Sequence, residues 1–288
     1  MAIQVSAGAD TRRKLLSHVV EIACGASVVV AVIPLALVLW YVLSRGVPAL
    51  GWAFFTNMPK PVGEPGGGMA NAMLGTLILI GIAGSIAVPL GIACAVFLAE
   101  YPKSRLSWAA RFAADNIVGI PSIVVGIFAY VIAVLPFRRF SALAGGFALG
   151  IMMLPIVVRT TEELLALVPS NLREGALALG ATRGRAAWTV IVPAALPGIV
   201  TGILVALARV AGETAPLLFT SFNNRYWSTS LTQPIASLTV QIFSYAIAPY
   251  EDWHRQAWAG ATVLIGAVLV FSILARTVTR RLEKMHRP

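Results

Sequence analysis

The chain has 288 residues, of which 58% are hydrophobic and only 12% charged, and its net charge is +10. A soluble domain carries about a quarter of its residues as charges, so this balance, with a mean hydropathy of +0.82, excludes a water-soluble globule. The absence of ten-residue alternating segments excludes a membrane β-barrel. What remains is an all-α polytopic membrane protein.

The chain opens with a basic tail, residues 1–18, carrying Arg12, Arg13 and Lys14. The apolar stretch that follows is too long for a secretory signal, whose apolar region spans about 7–15 residues, so 19–44 is predicted as a first transmembrane helix. Residues 45–71 form a loop with the glycine stretch "GEPGGG", which matches no phosphate-cradling motif. Further spans are predicted near 72–99, 116–136, 142–158, 194–218 and 257–275, about six in all, since roughly 20 apolar residues cross a bilayer. The six residues from Pro136 to Ser141 leave only a tight turn between the third and fourth. Residues 72–276 thus form one core, followed by a basic tail, 277–288. Cys24 and Cys94 both sit in apolar runs and read as packed small hydrophobes.

Lys and Arg divide unevenly between the two sides. With the N-terminus inside, the inner segments hold Arg12, Arg13, Lys14, Lys103, Arg105, Arg111, Arg159, Arg173, Arg183, Arg185, Arg276, Arg280, Arg281, Lys284 and Arg287. The outer ones hold Arg45, Lys60, Arg138, Arg139, Arg225 and Arg255. Basic residues favour the cytoplasmic side, which predicts both termini in the cytoplasm. The positive charge is then mostly a topology signal and lipid the natural surrounding, with no reason to invoke nucleic acid.

The inner loop 159–193 reads as ordered. Asn171 offers an N-cap for a helix from Leu172, with Glu174 completing a capping box, and Gly180 offers a left-handed C-cap. The stretch "EGALALGATRGRAAWTVIVP" (174–193) resembles the EAA motif of ABC-importer permeases: Glu174, Gly175, Ala176, Gly180, Val190, Val192 and Pro193 fit its spacing. The motif's second alanine position holds a small residue and its leucine position a valine. The resemblance implies a type I ABC-importer permease fold, with Glu174, Ala176, Gly180 and Pro193 in a loop that docks a coupling helix on an ATPase subunit. A capped surface helix without a partner is the alternative. The chain has no phosphate-binding G-x-x-x-x-G-K-[ST] loop, so ATP and Mg would be bound by that partner and this chain would not itself be an enzyme.

In the fifth span, "LVALARVAGETAPLLF" (204–219) places Arg209 and Glu213 four residues apart, on one face of a continuous helix. A charge near the bilayer centre costs about 2.5–3.5 kcal/mol on insertion scales. The pair reads either as a structural ion pair or as an oxyanion site, in which Arg209 offers bidentate hydrogen bonds, Glu213 steadies it, and Pro216 loosens the helix beyond. Thr201 and Thr214 are weaker candidates for added hydroxyls.

The segment "ARVAGETAPLLFT" (208–220) also resembles the phosphate-specific ABC permeases. "GGGMANAMLGTLILIGIA" (66–83), "VFLAEY" (96–101), "NIVGIPSIVVGIFAY" (116–130), "MLPIVVRTTEELLALVP" (153–169) and "QPIASLTVQIFSYA" (233–246) narrow the likeness to the PstA type. It implies a bacterial inner-membrane location. It also implies three partners: a second permease of the PstC type, an ATPase dimer of the PstB type and a periplasmic phosphate-binding protein of the PstS type. Arg159 and Arg209 match positions linked in the family to phosphate translocation, although Arg159 also reads as a cytoplasmic anchor. The alternatives are a permease for sulfate or phosphonate and, from another class, a membrane enzyme, which the scattered His18, His254 and His286 disfavour. The segment 219–256 contains "IASLTVQIFSYAIA", too short to span, either re-entrant or interfacial.

Overall fold

The computed structural model describes residues 7–286. The first six residues of the N-terminal tail, and Arg287 and Pro288 of the C-terminal tail, lie outside the described residues. In chain order the helices are α1 (Ala7–Gly46), α2 (Trp52–Thr56), α3 (Ala70–Glu100), α4 (Arg105–Gly119), α5 (Ser122–Ala129), α6 (Ala142–Ala166), α7 (Ser170–Ala178), α8 (Arg183–Ala186), α9 (Val192–Ala211), α10 (Ala215–Thr220), α11 (Leu238–Ala246) and α12 (Glu251–His286), with no strand among the described residues. Among the described residues five helical stretches are long and apolar enough to cross a membrane, or six if the bent pair α4 and α5 counts as one span. The turns at 101–104 and 167–182 mark one end of the bundle, called here the lower end; the loops at 50–69 and 221–237 mark the upper end.

Three buried clusters stack along the bundle. In the middle, Leu79, Ala83, Leu149, Met153, Val157, Ala206 and Val210 join α3, α6 and α9. At the upper end Phe54, Met69, Leu238, Tyr245 and Ala257 pack together, and at the lower end Ala95, Leu165, Ile191 and Ile199 do so. Small residues allow α3 and α6 to approach closely, as is usual between helices in lipid. A Cβ on Gly91 would lie 2.7 Å from the Val157 side chain, and one on Gly146 would collide with Ile82. By contrast the described side chains of α1 are buried only near its C-terminal end, where Val42 is buried and Tyr41 meets Trp258 edge-on at 5.2 Å.

Three spans differ from their sequence-based outlines. The third is not one helix over 116–136. Proline disfavours helical geometry in the residue before it, so Ile120 is extended ahead of Pro121, and α4 and α5 meet at an angle of 109°. The fourth continues past 158 to Ala166, because its charged residues Arg159 and Glu162 are paired inside the protein. The fifth breaks at Gly212–Thr214. Pro216 cannot donate to the carbonyl of Gly212 and its ring would clash there, so it stands in the first turn of α10, a position proline tolerates. Pro216 therefore starts a new helix rather than loosening α9.

The inner loop is shorter than 159–193. Helix α6 runs to Ala166, and Arg183–Ala211 is one continuous 29-residue stretch with a π turn at Ala187–Ile191. Pro193 lies inside that stretch rather than at the end of a loop. The glycine loop is ordered: Asn57 Nδ2 donates to the Gly66 carbonyl at 2.8 Å and Lys60 Nζ to that of Pro65 at 3.0 Å.

The start of helix α11 is bonded to α3 and to the second break. Leu238 N donates to Thr76 Oγ1 at 2.8 Å, the Thr239 hydroxyl donates to the Glu213 carbonyl at 2.9 Å, and Ala142 N donates to the Gln233 carbonyl at 3.0 Å.

Gly146→Ala and Gly81→Ala should act in opposite directions. The first drives a methyl into Ile82, an overpacking that costs about 1–3 kcal/mol and lowers the thermal midpoint of the detergent-purified protein by several degrees. The second, facing open space on α3, gains about 0.5–1 kcal/mol from helix propensity. Melting curves of the two variants check the sign.

Candidate functional site

Both helix breaks open on the same place. A cleft of about 180 Å³ is lined by Ile117 and Val118 of α4, Ile120 in the first break, Ser122 at the start of α5, Met152 and Ile156 of α6, Arg209 and Val210 of α9, and Glu213 in the second break. Its polar residues are Ser122, Arg209 and Glu213, set among aliphatic side chains. Ser122 begins α5, so the positive end of that helix dipole opens on the cleft. Arg209 stands in the last turn of α9, where the helix dipole favours a cation.

Arg209 and Glu213 share the cleft but not a helix face, because α9 stops at Ala211. Among the described residues they form no ion pair, so Glu213 does not clamp the guanidinium. Arg209 is exposed along the open side of the cleft and Glu213 is half-buried. The Thr201 hydroxyl donates to the Pro197 carbonyl of its own helix at 3.1 Å.

Arg159 lies one turn beyond the cleft. Met152, Ile156 and Arg159 are spaced four and three residues apart, so they form one stripe of α6. Its guanidinium is fully engaged. Nε meets Asp115 Oδ1 at 2.9 Å, Nη2 donates to Asp115 Oδ2 at 3.2 Å, and Nη1 donates to Glu162 Oε2 at 3.1 Å. Glu162 also accepts from Arg111 Nε at 2.6 Å. Arg111 in turn donates to the carbonyls of Pro102 at 3.0 Å and Leu98 at 3.1 Å. Two cations and two anions therefore close a neutral network that fastens α4 to α6 and to the end of α3. Asp115, Glu162 and Arg111 had no sequence signal: Arg111 and Glu162 are 51 positions apart, and only the (i, i+3) spacing of Arg159 and Glu162 was visible.

At the lower end α7 packs against the π turn at Ala187–Ile191 but has no buried residue. It begins at Ser170, with Pro169 as N-cap and no capping side chain, so Asn171 is not the cap and the capping box does not form. Proline presets the helix entry and places Asn171 inside the first turn. The C-cap follows expectation: Gly180 has φ +85°, Gly180 N donates to Leu177 O at 2.9 Å and Ala181 N to Ala176 O at 3.1 Å, a Schellman arrangement. Glu174 and Gly180 are exposed and Ala176 half-buried, with Leu172 and Leu179 exposed beside them. Arg173 Nη2 reaches Glu100 Oε1 at 2.9 Å, linking α7 to the last residue of α3. The Glu100 side chain is only 7% exposed. Among the described residues no three His, Cys, Asp or Glu side chains cluster to hold a metal, and Cys24 and Cys94 are both free.

Residues 87–285 match the family model described as "Binding-protein-dependent transport system inner membrane component". The chain is 47% identical over 242 residues to the phosphate transport system permease protein PstA of Yersinia pestis, covering 84% of this chain and 82% of that one. It is 41% identical over 251 residues to the PstA of Haemophilus influenzae, covering 87% and 89%. Among solved structures, an inward-facing MetNI methionine ABC transporter shares the fold with a TM-score of 0.56 at 18% identity, covering 74% of this chain and 93% of that one. An amino acid ABC transporter crystallised with histidines does so at 0.54 and 23%, covering 73% and 92%.

Glu162→Ala should be among the most damaging single changes. It leaves Arg111 and Arg159 facing each other with one carboxylate between them, and removing one partner of a largely buried ion pair costs about 3–5 kcal/mol. Amide hydrogen exchange should speed up in α4, whereas Glu163→Ala, one position away, should leave it unchanged.

Proposed function

This chain belongs to the binding-protein-dependent transport system inner membrane components, the permeases of ABC importers, and we propose that its central cleft is the path for inorganic phosphate across the membrane. The observation that carries this reading is the convergence of Arg209, the positive end of α5 and two helix breaks on one cleft. An anion entering hydrocarbon loses its hydration. A guanidinium replaces that shell with paired, charge-assisted hydrogen bonds to two oxygens of a tetrahedral oxyanion. Broken helices supply backbone polar groups where a cavity needs them. Glu213 keeps the net charge of the cleft low, so that the anion binds firmly enough to enter and loosely enough to leave.

The exposed position of Arg209 supports a partner. A charge facing lipid tails would be expensive, so this face of the bundle belongs against a second permease of the PstC type, which closes the cleft. The distribution of lysine and arginine supports a cytoplasmic lower end and two cytoplasmic termini in a bacterial inner membrane. The exposed apolar residues and Glu174 of α7 then face an ATPase dimer of the PstB type, which holds the ATP and Mg, and a PstS-type periplasmic protein delivers phosphate to the upper loops. In this scheme the chain performs no chemistry. ATP binding and hydrolysis on the partner move α7, and the movement switches access to the cleft.

Arg209→Ala should reduce uptake of labelled phosphate to less than about a tenth of wild type while the complex still co-purifies, and Arg209→Lys should recover little of it, because a point charge lacks the guanidinium fork. Uptake near wild type in the Lys variant would defeat the bidentate argument, and competition by unlabelled sulfate or phosphonate as strong as by phosphate would defeat the substrate assignment. Glu174→Lys should weaken co-purification of the ATPase or its stimulation by the binding protein; full retention of both would count against the docking role of α7.

A further inference from the structure

We propose that Asp115 is an internal stand-in for the transported oxyanion, and that phosphate leaving the Arg209 cleft displaces its carboxylate from Arg159. The proposal rests on the phosphate reading above and adds a second, exchangeable step below it.

Three observations carry it. The first is geometry. Arg159 presents Nε and Nη2 to the two oxygens of Asp115, at 2.9 and 3.2 Å. Those are the two donors that would grip two oxygens of a phosphate, so the fork is occupied by a group of the same kind as the substrate. The second is position. Arg159 continues the α6 stripe of Met152 and Ile156, and Asp115 precedes Ile117 and Val118 on α4. All four of these apolar residues line the cleft, so the Asp115–Arg159 pair lies along the same pair of helices, one turn beyond it. The third is the uneven strength of the network. Glu162 is 12% exposed and is held by Arg111, which is itself bonded to two carbonyls. Asp115 is 53% exposed and, among the described residues, its carboxylate is paired with Arg159 alone. Open ion pairs are weak and easily replaced. The contact with Asp115 is therefore the one that gives way, while Glu162 keeps the guanidinium in place.

Displacement has a mechanical consequence. Arg111–Glu162 and Asp115–Arg159 are the two ion-pair ties between α4 and α6. Releasing the second frees the end of α4 next to the 109° bend at Ile120–Pro121. An oxyanion with two oxygens can replace a carboxylate in the fork, whereas a halide cannot match both bonds. The pair is thus a latch that phosphate opens and chloride does not.

The test uses the complete complex, with ATPase, second permease and binding protein, in liposomes. In Asp115→Asn the leak of trapped phosphate and of chloride without ATP should rise about two- to fivefold, the range an exposed ion pair can supply. The exchanged pair Asp115→Arg with Arg159→Asp should restore a low leak but not phosphate uptake, because the guanidinium has left α6. In the wild-type complex, phosphate should speed amide hydrogen exchange over residues 112–119. A leak in Asp115→Asn equal to wild type, uptake restored by the exchanged pair, failure of Asp115→Asn to assemble, or no phosphate effect on exchange would each overturn the latch. If the wild-type complex itself carries no phosphate, the phosphate reading falls first; normal wild-type uptake with any of those four results defeats the latch alone.

Discussion

A guanidinium buried among apolar helices must find anions or carbonyls, because hydrocarbon offers neither. The arginines of the bundle meet this demand in two ways. Arg111 and Arg159 are joined in a neutral chain with Glu162 and Asp115, and Arg111 also donates to the carbonyls of Leu98 and Pro102. Arg209 has no such chain. It stands at the end of α9 beside a small cleft, with Glu213 in the same cavity but outside ion-pair reach. The contrast is one of partners: Arg111 and Arg159 tie helices together, whereas Arg209 has no ion-pair partner among the described residues.

Proline and glycine chemistry places that cleft. Pro121 and Pro216 each forbid a continuous helix, and the resulting breaks open on one cleft that α6 also lines. Backbone groups exposed by a break in a membrane must be satisfied from within the protein. Helix α11 does this for the second break, through the Thr239 hydroxyl on the Glu213 carbonyl, and Thr76 secures the start of α11 in turn.

The spans were legible in the sequence because length and lack of charge suffice to specify them. The C-cap at Gly180 was legible because its requirement, a positive φ, is local to one residue. The interruptions were not. An apolar run looks the same whether its helix is continuous or bent, so Arg209 and Glu213 were placed on a common face that α9 does not provide, and Pro216 was read as a weak point instead of a start. The extent of α6 was hidden for a related reason: Arg159 and Glu162 look like the end of a span unless Arg111 and Asp115, some fifty residues earlier, are known to meet them. Asn171 has the chemistry of a cap, but Pro169 sets the helix entry before it.

The order of contacts along the chain also connects α7 to the cleft. The two elements that flank the α7 turn are themselves walls of the cavity: α6 supplies Met152 and Ile156, and the continuous stretch from Arg183 ends at Arg209. Close-packed helices move as rigid rods rather than absorbing small displacements, so a shift of the turn is delivered to both walls at once. Arg173–Glu100 adds α3 to the same linkage, and the Arg111 bonds to the carbonyls of Leu98 and Pro102 carry it on to α4. Helix α4 is thus held to α6 partly by an exposed contact, the Asp115–Arg159 pair.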